Sequence, residues 1–119
     1  MPGAERHELA ALQALLARLL RARDPAAALA AARVAAGADP RLLAIDENGL
    51  RIAALLVAKL RFQRLLSASR EAAAWFERDG RAFTEAFRAY HTSQPSVALD
   101  PWAEAEAFAR WCAEERLSP

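Results

Sequence analysis

Residues 47–66 read ENGLRIAALLVAKLRFQRLL. Twenty residues without proline, rich in Leu, Ala and Arg, form a helix by intrinsic preference. Projected on a helical wheel, the Leu, Ile, Val and Phe residues fall on nearly every side, with no clean polar face. A helix of that kind normally occupies the centre of its domain. This segment therefore predicts an all-α protein built around one apolar helix, with Leu56 and Leu60 in the core. Gly49 is the weak point near its start.

The flanking sequence extends the helical reading. Asp-Pro occurs at 24–25, 39–40 and 100–101. Asp accepts from the free N–H groups of a helix start, and Pro at the first helical position forgoes an N–H that would be unbonded there anyway. Each pair predicts a helix start. Upstream, a helix is expected from about Ala4 to Arg23, with Leu9, Leu12, Leu16 and Leu19 as its apolar stripe. An Ala-rich helix follows Asp24-Pro25 and stops near Gly37, a C′ glycine. Asp39-Pro40 opens a short turn, RLLAI.

Downstream, Ser67 and Ser69 end the central helix or cap the next. Residues 70–91, REAAAWFERDGRAFTEAFRAYH, form one helix or two, with Asp79-Gly80 as the break and Asp79 as N-cap. Phe83 and Phe87 are expected in the core. A polar bend, TSQPSVAL, leads to Asp100-Pro101 and a last helix with Trp102, Ala105, Phe108, Ala109 and Cys112 on its apolar side. The sum is a single compact helical domain of five to six helices over residues 1–119, the size of one ordinary domain.

Composition narrows the function classes. Alanine makes up about a quarter of the 119 residues, and the net charge is +1. A single cysteine excludes an intramolecular disulfide and points to a reducing compartment. The first residues show no charged-then-apolar secretion signal, and no apolar run is long enough to span a membrane. A cytoplasmic protein is the expectation. No His or Cys spacing supplies a metal site, and neither a phosphate-binding loop nor a nucleophile elbow is present. The expectation is no catalytic residue, no metal and no cofactor of its own. What stands out is a basic tract, Arg51, Lys59, Arg61, Arg64 and Arg70, with no acid among its members. The tract suits an anionic partner or a self-complementary contact, or is a solvated face, and removing Arg61 and Arg64 together is expected to leave the helical fold intact. His91 sits in the last turn of a helix, where the carbonyl end of the dipole favours a cation.

LAIDENGLRIAALL at 43–56 and RAFTEAFRAYHTSQPS at 81–96 together resemble a bacterial helical family long labelled a DNA-binding domain. Leu43-Ala44-Ile45 matches that family's turn. Asn48, Leu50 and Arg51 match its helix start, and Phe83, Phe87, His91 and Pro95 its closing helix and bend. The chain departs from the pattern at Asp46, where an aromatic is usual, at Gly49, and at Tyr90. The resemblance implies a partner protein of multinuclear non-haem iron enzymes that oxidatively modify ribosomally made peptides. Such a partner binds the iron enzyme, as a heterodimer, and helps recruit the precursor peptide; the iron ligands belong to the enzyme. Asn48, Arg51, Arg61, Arg64 and His91 are the residues expected to bind partner or peptide. A membrane and nucleic acid are not expected partners. The competing reading is a DNA-binding or regulatory helical module, against which stands the near-zero net charge.

Overall fold

The computed structural model describes residues 2–37, 39–95 and 100–117. Among them are seven helices and no strand: α1 (Pro2–Arg21), α2 (Pro25–Ala35), α3 (Pro40–Leu43), α4 (Glu47–Ala68), α5 (Arg70–Arg78), α6 (Gly80–Ser93) and α7 (Pro101–Glu114). The all-helical class is as expected, but the count of five to six falls short. The RLLAI turn contains a helix of its own, because Asp39 caps it. The stretch from 70 to 93 is two helices, because Asp79 ends one and starts the next. Residues 96–99 of the expected bend lie outside the described residues.

The capping chemistry operates at every predicted start. Asp24 accepts from the Ala27 N–H at 3.1 Å, Asp39 from Arg41 N–H at 2.9 Å, and Asp100 from Trp102 N–H at 3.0 Å. Ser69 caps α5 by accepting from Ala72 N–H, and Asp79 caps α6 by accepting from Ala82 N–H. α4 is started by Asp46, which accepts from Gly49 N–H at 2.8 Å. Gly37 follows the end of α2 with φ +67°, the left-handed conformation that glycine adopts at least cost.

The chain falls into two compact units, Met1–Val57 and Ala58–Pro119, with the boundary inside α4. In the first unit, Leu19 of α1, Leu29 of α2 and Leu50 of α4 form the buried core, with Leu15, Leu16, Leu20, Ala28 and Ile45 packed against them. The Leu9–Leu12 end of the expected stripe is more open, and Leu9 is exposed. Arg33 fastens α2 to the chain after it. Its Nε donates to Leu42 O at 3.1 Å and its Nη2 to Ile45 O at 2.8 Å. Those carbonyls flank the Leu43-Ala44-Ile45 turn and lie at a helix end where intrahelical donors run out. Asp39 and Arg41 form an exposed ion pair, and the Arg41 side chain bonded to Asp39 holds that carboxyl below its ordinary value.

In the second unit, the aromatics supply most of the core. Phe83, Phe87 and Tyr90 of α6, Trp75 of α5 and Phe108 of α7 are buried beside Leu65 and Cys112. Most of their ring pairs meet edge to face. Trp75 and Phe83 lie 5.4 Å apart at 80°, and Tyr90 and Phe108 lie 5.1 Å apart at 83°. This geometry sets the electropositive ring edge against the electronegative face.

One packing expectation fails. Leu56 and Leu60 are 55% and 57% exposed, and α4 is not enclosed on all sides. Its buried positions are Leu50, Ala54, Arg61 and Leu65. That spacing of four and seven is a single helical stripe, and it contains an arginine. The charged residue is inside and two leucines are outside because Arg61 has a partner in α7.

Candidate functional site

Arg61 is 1% exposed. A guanidinium offers five N–H donors in a fixed plane and cannot give up its charge. All five are used. Nε donates to Glu104 Oε1 at 2.6 Å and Nη2 to Glu104 Oε2 at 3.0 Å, a two-point pairing. Nη2 also donates to Pro95 O at 3.2 Å. Nη1 donates to Gln94 O at 2.8 Å and to His91 Nδ1 at 3.2 Å. Because arginine only donates, His91 Nδ1 accepts, which places the imidazole proton on Nε2. The guanidinium carbon lies 4.5 Å from the centre of the Tyr90 ring.

Glu104 is equally enclosed, at 1% exposure. Besides the two bonds from Arg61, its Oε2 accepts from the Tyr90 hydroxyl at 2.5 Å. Burial, reinforced by donation to the Glu104 carboxylate, pushes the Tyr90 phenol up to about 12. His91 stacks on Phe87, rings 5.6 Å apart and 15° from parallel. The network thus joins α4, the end of α6, the two carbonyls that follow it, and α7.

The structure therefore brings Arg61 and His91 together, as members of an interior network. His91 is in the last turn of α6, as expected, but it faces Arg61 and is 7% exposed. Arg61 does not contribute to a basic surface, and the expectation that its removal spares the fold is set aside. Glu104 and Tyr90 were missing from the expected set. Asn48 and Arg51 lie on the first turns of α4, exposed, and Arg51 bonds Glu47 at 3.3 Å in an open i,i+4 pair that contributes little stability. Arg64 is half-buried. Its Nε is shut off from water and has no hydrogen-bond acceptor.

Two surface features remain. Along α4, Ile52, Leu55, Leu56 and Leu60 are all more than half exposed. Beside the network, Gln94 and Pro95 after α6 and Arg110, Trp111 and Glu114 of α7 border a pocket of about 200 Å³. That is below the ~300–1,000 Å³ of ordinary small-molecule sites. Cys112 is buried, and burial pushes its thiol up to about 11, away from the thiolate that reactive cysteines need. Among the described residues, no group of three or more His, Cys, Asp or Glu side chains is placed to hold a metal ion. No helix among them is long and apolar enough to cross a membrane.

No protein-family model, curated protein or solved structure matches the chain.

Proposed function

We propose that this protein is a non-catalytic accessory subunit that binds an iron-dependent peptide-modifying enzyme and helps recruit its precursor peptide. The observation that carries the reading is the exposed apolar row on α4. Ile52, Leu55 and Leu56 recur at helical spacing within the first unit and stand in water. Contiguous apolar surface of this kind is characteristic of interfaces. The resemblance of residues 43–56 and 81–96 to the partner proteins of such enzymes supplies the nature of the partner. Asn48, one turn before the row, and Arg51, next to Ile52, are exposed and are the polar contacts assigned to its rim.

The DNA-binding alternative loses ground through Arg61. A nucleic-acid reader spends its arginines on phosphates and base edges, whereas Arg61 spends every donor within the chain.

The test is co-expression with an iron enzyme encoded beside this chain, followed by size-exclusion chromatography and a titration with the precursor peptide. A stable one-to-one complex that binds the peptide more tightly than the enzyme alone is the expected result. Duplex DNA binding that falls steeply with salt, without an enzyme complex, would overturn the proposal in favour of the regulatory module.

A further inference from the structure

His91 is buried at the end of α6, and its Nδ1 accepts from Arg61 Nη1 at 3.2 Å. With the ring proton on Nε2, Nδ1 carries the lone pair at which a neutral imidazole takes up its next proton. That lone pair is the one Arg61 occupies. Protonation turns Nδ1 into a donor, and a guanidinium has nothing to accept with. Two cations then face each other in a site closed to water, where charges interact more strongly than in solvent. The guanidinium is not at liberty to turn away. Nη1 also serves Gln94 O, Nη2 serves Pro95 O and Glu104, and Nε serves Glu104. These donors lie in one rigid plane, so losing the His91 bond disturbs the others.

The charges around the ring offer no compensation. Glu104 of α7 is engaged by Arg61 and by the Tyr90 hydroxyl. Arg64, one turn along α4, and Arg88, one turn back on α6, add only positive charge. The charged side chains of α5, Arg70, Glu71, Glu77 and Arg78, and the other charged groups of α7, Glu106, Arg110 and Glu114, are exposed. The stacked Phe87 ring attracts a cation through its quadrupole, against a full unit charge on Arg61.

We infer that His91 is an acid-sensitive latch on the second unit. Uptake of one proton from solvent at Nδ1 ejects Arg61 from the ring and loosens the bonds through which Arg61 ties the end of α6 to α7. The closed unit holds the imidazole neutral, whereas the unfolded chain protonates it near the ordinary value of ~6.5. The open form therefore binds one more proton. The closed form has its full stability above that value and loses it as pH falls below. Every group of the latch lies in the second unit, and its action does not depend on the identity of a partner.

The experiment is urea unfolding of the full chain between about pH 7.5 and about pH 5.5, above the ordinary carboxylate values. It is followed by the fluorescence of Trp75, Trp102 and Trp111, all in the second unit. The folding equilibrium should weaken as pH falls, approaching ~10-fold per pH unit at the acid end, the slope of one proton. His91→Gln, whose side-chain oxygen accepts from Arg61 but takes up no proton, should flatten that slope. His7→Gln should leave it unchanged. Nuclear magnetic resonance of the wild-type chain needs no variant to fold. The His91 ring should keep its neutral signature in the folded protein across this range. Amide exchange, corrected for its intrinsic pH dependence, should quicken in residues 90–95 and 101–112 on acidification. A folding equilibrium that does not change with pH overturns the inference. So does a slope that survives His91→Gln, or a His91 ring that protonates in the folded protein while those amides stay protected.

Discussion

Arg61 and Glu104 meet through two hydrogen bonds inside the second unit, across 43 positions of sequence. Both are almost fully enclosed. A buried pair of this kind is costly to break from one side, because the survivor keeps its charge without its partner. Arg61→Ala or Glu104→Ala should therefore destabilise the chain by about 3–5 kcal/mol, read as a lower midpoint in urea. The double change Arg61→Met plus Glu104→Leu removes both charges, and should be far less damaging than the sum of the single changes. Single changes that cost nothing would show that the pair does not hold the fold.

Alkali should weaken the protein through Tyr90 and Cys112. Both groups titrate higher in the folded chain than their ordinary values of 10.0 and 9.0, at about 12 and about 11. The folded state keeps its protons after the unfolded chain has released them, so stability is full below the ordinary values and declines as pH rises through these windows. Thermal midpoints should fall from about pH 9 upward. Tyr90→Phe should flatten the part of the slope between 10 and 12, and Cys112→Ala the part between 9 and 11. A slope unchanged in both variants would contradict the assignment.

Burial separates two pairs of residues that look alike in sequence. Phe83 and Phe87 are at 0% and 4% exposure, and Leu56 and Leu60 are both more than half exposed. Phe87→Ala should cost about 3–5 kcal/mol. Leu56→Ala should change stability by less than ~0.5 kcal/mol, the range of open surface sites. Denaturant titration of the two variants compares them directly.

Asp46 and Arg33 are expected to matter beyond their polar surroundings. Asp46→Ala removes the N-cap of α4 and should cost about 1 kcal/mol. Asp46→Asn, which can still accept from Gly49 N–H, should recover most of it. Arg33→Ala removes the charged donor from the Leu42 carbonyl, which keeps the Ile45 N–H, and from the Ile45 carbonyl, and should cost about 1.5–3 kcal/mol, the range for bonds from a charged donor. Hydrogen exchange should show faster opening around residues 40–46 in that variant.

The elements were legible in the sequence wherever their causes were local. The three Asp-Pro starts, the Asp79 break and the Gly37 stop each depend on residues within one turn. Phe83 and Phe87 were legible because α6 has a polar side to contrast with its apolar one. α4 has no such contrast, so periodicity could not choose which side turns inward. The choice follows Arg61, and Arg61 follows Glu104. That acid sits between Ala103 and Ala105 on a helix whose neighbouring residues include further glutamates, and its sequence looks like that of any solvated carboxylate. What distinguishes it is a partner in α4, and nothing near residue 104 signals that partner. On α7, Phe108 and Cys112 are buried as expected, but so is Glu104, while Trp102, expected on that side, is 68% exposed. Arg61 and His91 were both singled out as contacts for a partner, whereas both are buried and bonded to each other.

The saturated guanidinium of Arg61 also has a meaning for synthesis on the ribosome. Translation makes Arg61 long before Glu104, and four of its five acceptors belong to residues that follow position 91. Until α7 has emerged, the nascent chain holds a permanent cation on the side of α4 that carries Leu65, beside aromatics that still lack Phe108. Closing the second unit on a partial product would bury that cation without its carboxylate, at a cost in free energy. A chain stalled before residue 104 should therefore be more open to chaperones and proteases than the finished protein.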